Sequence, residues 1–167
     1  MKRREPTFNH MKNSSTMRVY VDTSVVGAMF DPEFERRTQP FWNAVADGQI
    51  QIIASDILEE ELKNAPKRVQ EFFHRLPKAQ IERVAATVDS DKLAEQYIVA
   101  GVVGKTSFDD CRHIALATLV RTDVLVSWNF KHIVNLKRIH GYNGVNLLHG
   151  YPTIEIRTPD EVIHDEI

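Results

Sequence analysis

An acidic residue ends the first apolar segment of this sequence. Asp22 directly follows residues 18–21, a short segment whose composition is typical of a buried strand. Burying a carboxylate without a partner is costly, so this position requires something that compensates for its lost hydration. Further acids and amides stand near the ends of other apolar segments: Glu59, Glu60, Glu61, Asp109, Asp110 and Asn129.

Each of these residues has a structural interpretation when it is taken alone. Asp22 could cap the following helix, Asp109 and Asp110 could interact with a helix dipole, and Asn129 could serve a turn. Taken together, they predict a cluster of acids. Two carboxylates about 5 Å apart repel each other by about 3 kcal/mol at an effective dielectric near 20, so a cluster must bind protons or a cation. Oxygen ligands without paired cysteines or an HExxH motif indicate Mg²⁺ or Mn²⁺ rather than zinc.

Strands alternate with helices along the chain, and this alternation predicts how the acids are brought together. The strand patterns cover residues 18–21, 49–55, 79–85, 124–128 and 152–158. The helix patterns cover residues 24–29, 38–47, 56–65, 67–76, 89–101, 108–122 and 129–140, with a last helix opening at 158–161. We therefore expect an α/β fold, a three-layer sandwich around a central, mostly parallel sheet. In such a fold, functional groups gather at the carboxyl ends of the strands.

Length and composition indicate one domain with a substantial core. The chain has 167 residues, a formal net charge of -2 and 43% hydrophobic residues. Residues 1–16 are polar and basic and are predicted to be a disordered extension, with the domain occupying 17–167. No apolar run approaches the roughly 20 residues that span a bilayer. The single cysteine, Cys111, allows no internal disulfide, which favours the reducing cytoplasm.

Four motifs in order resemble those of a known family. They are VDTSVV at 21–26, ASDILEEEL at 54–62, SFDDCRHIALA at 107–117 and LVSWNFKHI at 125–133. The chain resembles the PIN domain in its VapC-like toxin branch, over about residues 17–163. This resemblance implies a metal-dependent ribonuclease whose acids cluster at the carboxyl edge of a parallel sheet.

The resemblance also implies roles for particular acids. Asp22 matches the first acid of the family, and Glu61 matches the second, with Glu60 as the alternative. Asp110 matches the third acid, and its neighbour Asp109 could assist it. On this basis Asp22, Glu61 and Asp110 are the expected ligands of Mg²⁺ or Mn²⁺.

The fourth acidic position of the family departs from its pattern here. The family has a TxD motif, whereas this chain has Ser127, Trp128 and Asn129. A carboxamide keeps an oxygen but loses a charge, so a second metal ion is less expected than the first. Asn129, Thr23 and Ser24 are expected to orient the attacking water or the scissile phosphate.

The expected substrate is RNA, and the expected partners include an antitoxin protein and a second copy of the chain. Lys131 and His132 follow Asn129 closely and are the best-placed candidates for contacts with phosphate. Other basic candidates are Lys105, Arg112, Lys137 and Arg138. Two alternatives remain open at this point. One is a PIN-like module that binds RNA or protein with weak or no catalysis, and the other is a receiver-like signalling domain.

Two further polar residues on the third motif are interpreted as structural. His113 lies one helical turn after Asp110 on an apolar helix, and we expect a buried, hydrogen-bonded side chain rather than a metal ligand. Cys111 is expected to belong to the core rather than to act as a nucleophile.

Overall fold

A five-stranded sheet forms the centre of the domain. A computed structural model describes residues 16–164, so nearly all of the extension predicted for residues 1–16 lies outside the described residues. The strands are β1 (Met17–Val21), β2 (Ile50–Ser55), β3 (Ile81–Val84), β4 (Val124–Val126) and β5 (Ile156–Arg157). Their spatial order is β3-β2-β1-β4-β5, and every neighbouring pair is parallel.

Eight α-helices connect and flank the strands within residues 16–164, together with three short 3-10 helices at Ala28–Phe30, Lys78–Gln80 and Lys105–Ser107. They are α1 (Thr23–Gly27), α2 (Glu35–Ala46), α3 (Asp56–Leu62), α4 (Lys67–His74), α5 (Val88–Val99), α6 (Phe108–Leu119), α7 (Leu136–Leu148) and α8 (Pro159–His164). None of the helices in this part of the chain is long and apolar enough to cross a membrane.

The sheet is covered on both faces, which confirms the predicted three-layer α/β architecture. Because successive strand residues point to opposite faces, Val19 and Val21 of β1 belong to one core and Tyr20 to the other. The first core includes Phe41 of α2, and the second includes Ile114 of α6. Burial on both faces explains why these strands are continuously apolar rather than alternating.

The helix predicted over residues 129–140 is wrong in its first half. Residues 129–135 form a turn, and α7 begins only at Leu136. The backbone oxygen of Asn129 accepts from the amides of Ile133 and Val134, which closes the turn. The side chain of Asn135 then accepts a hydrogen bond from the amide of Arg138 at 3.2 Å and so caps α7.

Three other local predictions concern where helices begin, and the structure contradicts two of them and confirms one. The second helix begins at Glu35 and not at residue 38, because the polar residues 35–37 form its exposed first turn rather than a break. Ser107 directly precedes α6, where a serine predicts a helix cap, but this prediction is wrong because its side chain forms no capping hydrogen bond. Ser55 directly precedes α3, where a serine likewise predicts a helix cap, and this prediction is confirmed, since its hydroxyl accepts from the amide of Leu58 at 3.0 Å.

Candidate active site

The candidate site lies where the strand order reverses. The chain proceeds from β1 outward through β2 to β3, and then returns to place β4 on the other side of β1. The carboxyl ends of β1 and β4 therefore flank a crevice of the kind in which open α/β sheets bind their ligands. Asp22 follows β1 and Ser127 follows β4, so both residues stand at this crevice.

Asp22 is a buried carboxylate held by two hydroxyl groups. The residue is 5% exposed, and Ser24 Oγ donates to its Oδ1 at 2.6 Å. Ser127 Oγ donates to Oδ2 at 2.5 Å. Burial raises the pKa of Asp22, and the two serine hydrogen bonds offset part of this rise.

Glu61 reaches the same edge from α3, and both of its oxygens are engaged. Thr23 Oγ1 donates to Oε2 at 2.5 Å, and Nε2 of His113 lies 2.8 Å from Oε1. Burial acts to raise the pKa of Glu61, but the hydrogen bonds from His113 and Thr23 outweigh it and lower the pKa. Glu61 is therefore the acid of this site whose ionised form the protein favours.

His113 is confirmed as a buried, hydrogen-bonded side chain. It is 2% exposed and lies in α6, between Glu61 and a tyrosine. Its Nδ1 is 2.7 Å from the hydroxyl of Tyr20, which is fully buried in β1. Since an ionised Glu61 can only accept, Nε2 carries the proton, and the Tyr20 hydroxyl can donate to Nδ1. Tyr20, His113 and Glu61 thus form one chain of hydrogen bonds.

Asp110 stands in the first turn of α6 and completes the set of three acids. Burial raises the pKa of Asp110, nearby His132 and His113 lower it, and the charge of Glu61 raises it further. Asn129, as a hydrogen-bonding neighbour, also lowers the pKa of Asp110. Asp110, Glu61 and Asn129 therefore lie near one another, although they come from three separate segments of the chain.

Asn129 is fixed by the turn that follows β4. Its backbone amide donates to Ser127 Oγ at 3.0 Å, and its Oδ1 accepts from the amide of His132 at 3.0 Å. The side-chain oxygen is thus occupied within the turn. Ser127 connects the two halves of the site, because the hydroxyl that receives the Asn129 amide donates its own proton to Asp22.

The alternative acids point towards solvent. The side chain of Glu60 is 72% exposed and forms an ion pair with Lys63 at 2.7 Å. The side chain of Asp109 is 74% exposed and lies 3.7 Å from the guanidinium of Arg112. The structure therefore brings Glu61 and Asp110 to the crevice, whereas Glu60 and Asp109 lie outside it.

The basic candidates differ in their exposure and in whether their side chains are already paired with other groups of the protein. Lys131 is exposed, and His132 is half-buried with a buried Nδ1 that has no hydrogen-bond partner among the described residues. Arg112 is paired with Asp91 at 3.0 Å, and Arg138 donates to the backbone oxygen of Val102. Lys131 and His132 therefore remain the best placed of the basic side chains.

The sequence pattern indicated no role at the site for the side chains of Ser127 and Tyr20. Ser127 occupies the hydroxyl position of the TxD-like motif, and this position could have indicated that a hydroxyl faces the acids. Tyr20 has no comparable signal, because one aromatic residue in an apolar strand is indistinguishable from core packing. Thr23 and Ser24, expected to contact water or phosphate, direct their hydroxyl protons at Glu61 and Asp22.

The donor chemistry of the site fits Mg²⁺ or Mn²⁺. Asp22, Glu61 and Asp110 supply carboxylate oxygens, and a carboxylate has about four lone-pair sites, so one hydrogen bond per oxygen leaves capacity for a cation. No Lys or Arg among residues 16–164 forms an ion pair with Asp22 or Asp110. Over the same residues, no group of three or more His, Cys, Asp or Glu side chains is arranged to hold a metal ion. The Asp22 and Glu61 carboxylates are held instead by hydrogen bonds from hydroxyl groups and from His113.

Comparison with known proteins gives matches in structure alone. No protein-family model and no curated protein matches the chain. One similar solved structure is VapC20 from Mycobacterium tuberculosis, a toxin that cleaves the sarcin-ricin loop. It has a TM-score of 0.54 and 15% identity, over 68% of this chain and 91% of that chain.

A second similar structure is VapBC2 from Rickettsia felis, bound to a DNA fragment from their promoter. It has a TM-score of 0.54 and 12% identity, over 85% of this chain and 98% of that chain. At such low identities the likeness concerns the fold. The parallel five-stranded sheet and the two similar structures agree with the four sequence motifs, and this chain therefore has the VapC-like PIN-domain fold.

Proposed function

We propose that this protein is a metal-dependent endoribonuclease that hydrolyses RNA phosphodiester bonds as the toxin of a type II toxin–antitoxin pair. The observation that carries the proposal is the buried Asp22 carboxylate at the strand-order reversal, with Glu61 and Asp110 on the same edge. Carboxylate oxygens are the ligands that Mg²⁺ and Mn²⁺ prefer in proteins. The VapC-like PIN fold supports the same activity, and the proposed location is the cytoplasm.

In this proposal, Asp22, Glu61 and Asp110 hold one Mg²⁺ or Mn²⁺. When bound, the cation supplies Lewis-acid polarisation of the phosphate and neutralises developing negative charge. Ser24 and Thr23 keep Asp22 and Glu61 oriented through their hydroxyl protons. These contacts prearrange the acids, so that less side-chain ordering is needed when the cation and the substrate bind.

The proposed substrate contacts lie beside Asn129. Its backbone is fixed by Ser127, so the following residues are presented at the same edge as the acids. Lys131 is exposed there and is positioned to neutralise a phosphate, and His132 lies near Asp110. The salt dependence of RNA binding would count the phosphates that the protein neutralises.

The test is Mn²⁺-dependent cleavage of an RNA substrate by Asp22→Asn and Asp110→Asn variants. We expect both to lose more than the roughly 10- to 100-fold that removal of an outer partner costs in metal sites. Asp109→Asn is the matched control, because this neighbouring carboxylate is exposed and should be dispensable. Full activity of either Asp22→Asn or Asp110→Asn would refute the assignment.

A second candidate is a PIN-like module that binds RNA or a partner protein with weak or no catalysis. Asn129 at the fourth acidic position favours it, as does the lack of a ready-made group of metal-binding side chains in the described residues. Calorimetric titration with Mn²⁺ separates the two candidates, because the binding module would show no saturable metal site.

Growth arrest on induced expression, relieved by a co-expressed antitoxin, would then test the toxin role. The proposed homodimer is tested by light scattering.

A further inference from the structure

A half-exposed phenylalanine directly follows Asn129 in the turn after β4. Phe130 follows Asn129 and is 47% exposed, whereas Trp128, on the other side of Asn129, is 6% exposed. The two rings lie 6.0 Å apart between centroids, and both also contact the ring of Phe34. Phe130 is therefore the outer member of a cluster of three aromatic side chains.

The inner members of this aromatic cluster are held in fixed orientations. Trp128 Nε1 donates to Thr38 Oγ1 at 2.9 Å, and the Phe34 ring lies 4.8 Å from the Trp128 ring. The guanidinium of Arg37 lies 4.6 Å from the centroid of the Trp128 ring and is itself paired with Asp160 at 2.8 Å. Phe130 thus packs against side chains that are themselves held by a hydrogen bond, a ring contact and an ion pair.

The same segment is tied by its backbone to the acids. The amide of Trp128 donates to Ser24 Oγ at 2.9 Å, and the amide of Asn129 donates to Ser127 Oγ at 3.0 Å. Both of these hydroxyls donate to Asp22. The position of Phe130 is therefore coupled to the carboxylate site, only one residue beyond Asn129.

The chemistry around Phe130 favours one class of ligand. An exposed aromatic face offers stacking to any base, and the exposed Lys131 next to it offers a charge for phosphate. Nonspecific recognition of single-stranded nucleic acid commonly combines these two contacts. A single exposed phenylalanine is common on protein surfaces, but this one directly follows Asn129, whose backbone amide is bonded to the hydroxyl that donates to Asp22.

We propose that the exposed face of Phe130 is a stacking subsite for an unpaired nucleobase next to the cleaved phosphate. This inference rests on the proposed ribonuclease function and deepens it, because it restricts the substrate to RNA with an unstacked base at the cleavage site. Structured RNA would be bound at loops and bulges, where bases can leave the stack.

The experiment measures binding of a single-stranded RNA oligonucleotide to the full chain in an Asp110→Asn background, so that cleavage does not interfere. Phe130→Ala and Phe130→Leu are compared with Phe130→Trp, which retains an aromatic face. Loss of one base stack is expected to weaken binding by roughly 5- to 150-fold in the Ala and Leu variants, while the Trp variant preserves it. Leu136→Ala is the matched control, since Leu136 is an equally apolar side chain that is 72% exposed on α7.

A fluorescent adenine analogue in the oligonucleotide provides a second measurement. Its emission should be quenched on binding to the parent protein and to the Phe130→Trp variant, and not on binding to the Phe130→Leu variant. The salt dependence of binding should be equal in all variants, because stacking neutralises no phosphate.

Three results would overturn the inference, and they are distinguishable. Equal RNA binding by Phe130→Ala and the parent shows that no base stacks there, while the ribonuclease proposal stands. Full binding by Phe130→Leu shows that any apolar side chain suffices, so that no base stacks on the ring. Absence of RNA binding by the parent itself removes the ribonuclease proposal together with the subsite.

Discussion

The imidazole of His113 links two residues that are far apart in sequence, with Nε2 2.8 Å from Glu61 Oε1 and Nδ1 2.7 Å from the Tyr20 hydroxyl. The ring is 2% exposed, so both contacts are sheltered from bulk water. Glu61, an acid of the proposed metal site, is thereby oriented by a buried histidine that packs with Tyr20. This relationship makes the conformation of Glu61 depend on a strand residue that does not itself reach the site.

The first prediction concerns coupling between Tyr20 and His113. Tyr20→Phe and His113→Leu each leave a buried polar group without its partner, which costs about 1–3 kcal/mol of unfolding free energy. The double variant removes both groups, so its cost should fall short of the sum by about 0.5–3 kcal/mol. Urea unfolding of the four proteins measures this. Thr38→Val is the control, because Thr38 bonds to Phe34 and Trp128 and lies outside this chain of hydrogen bonds, so it should be additive with Tyr20→Phe. Additivity of Tyr20→Phe and His113→Leu would contradict the coupling.

The second prediction distinguishes the two neighbouring glutamates of α3. Glu61→Gln replaces an acceptor of two hydrogen bonds with a group that faces the donors of His113 and Thr23. We expect it to lower Mn²⁺-dependent RNA cleavage by at least about 10- to 100-fold. Glu60→Gln changes only an exposed pair with Lys63 and should retain full activity. Equal losses in the two variants would show that the choice of Glu61 over Glu60 is wrong.

The third prediction concerns stability without metal. Burial raises the pKa of Asp110, so ionising this carboxyl costs stability in the folded state. Asp110→Asn should therefore raise the melting temperature in EDTA at neutral pH, where about 1 kcal/mol corresponds to roughly 2–4 °C for a chain of this size.

The stability gain of Asp110→Asn should depend on pH. Because the folded pKa lies above the unfolded value, the advantage of Asp110→Asn should be absent in acid and should appear as the pH rises past the unfolded pKa near 3.9. The control Asp109→Asn, at an exposed position, should stay within about 0.5 kcal/mol of the parent at every pH. A gain for Asp109→Asn of the same size would point to general charge reduction instead.

The fourth prediction concerns the amide at the fourth acidic position. Asn129→Asp keeps the oxygen that accepts from the His132 amide but adds a negative charge beside Asp110. We expect it to lower the melting temperature in EDTA and to increase Mn²⁺ affinity, both measurable by thermal shift across a metal titration. Asn129→Ala should lower stability without improving metal affinity, because it loses the turn contact and adds no charge. Unchanged Mn²⁺ affinity in Asn129→Asp would show that residue 129 lies outside the reach of the metal.

The fifth prediction uses the single cysteine as a reporter of unfolding. Cys111 is fully buried, and burial raises the pKa of its thiol to about 12. Alkylation by iodoacetamide at pH 8 should therefore proceed only through opening of the α6 region and should accelerate across the urea transition. Rapid labelling of the native protein would show that α6 opens locally, which would also disturb Asp110.

The fold and the set of candidate acids could be predicted from the sequence because both depend on local pattern. Apolar β-branched segments alternating with helical segments specify a covered parallel sheet, and this prediction is confirmed by the strand order and pairing. The motifs around Asp22, Asp110 and Asn129 stand at the ends of these segments, so topology alone gathers them at one edge. Element boundaries are less well specified by pattern: the turn at 129–135 depends on hydrogen bonds that Asn129 and Asn135 form only in the folded chain.

The sequence by itself determined which elements form and which acids their ends carry, because periodicity and segment order are local properties of the chain. Tertiary structure decided the partners of those acids. It placed Ser127 against Asp22 across 105 residues and His113 against Glu61 across 52. It also turned Glu61 inward while its neighbour Glu60 faces solvent. Such choices depend on the packing of α3 against α6 and of β4 beside β1, and a one-dimensional pattern does not contain these contacts.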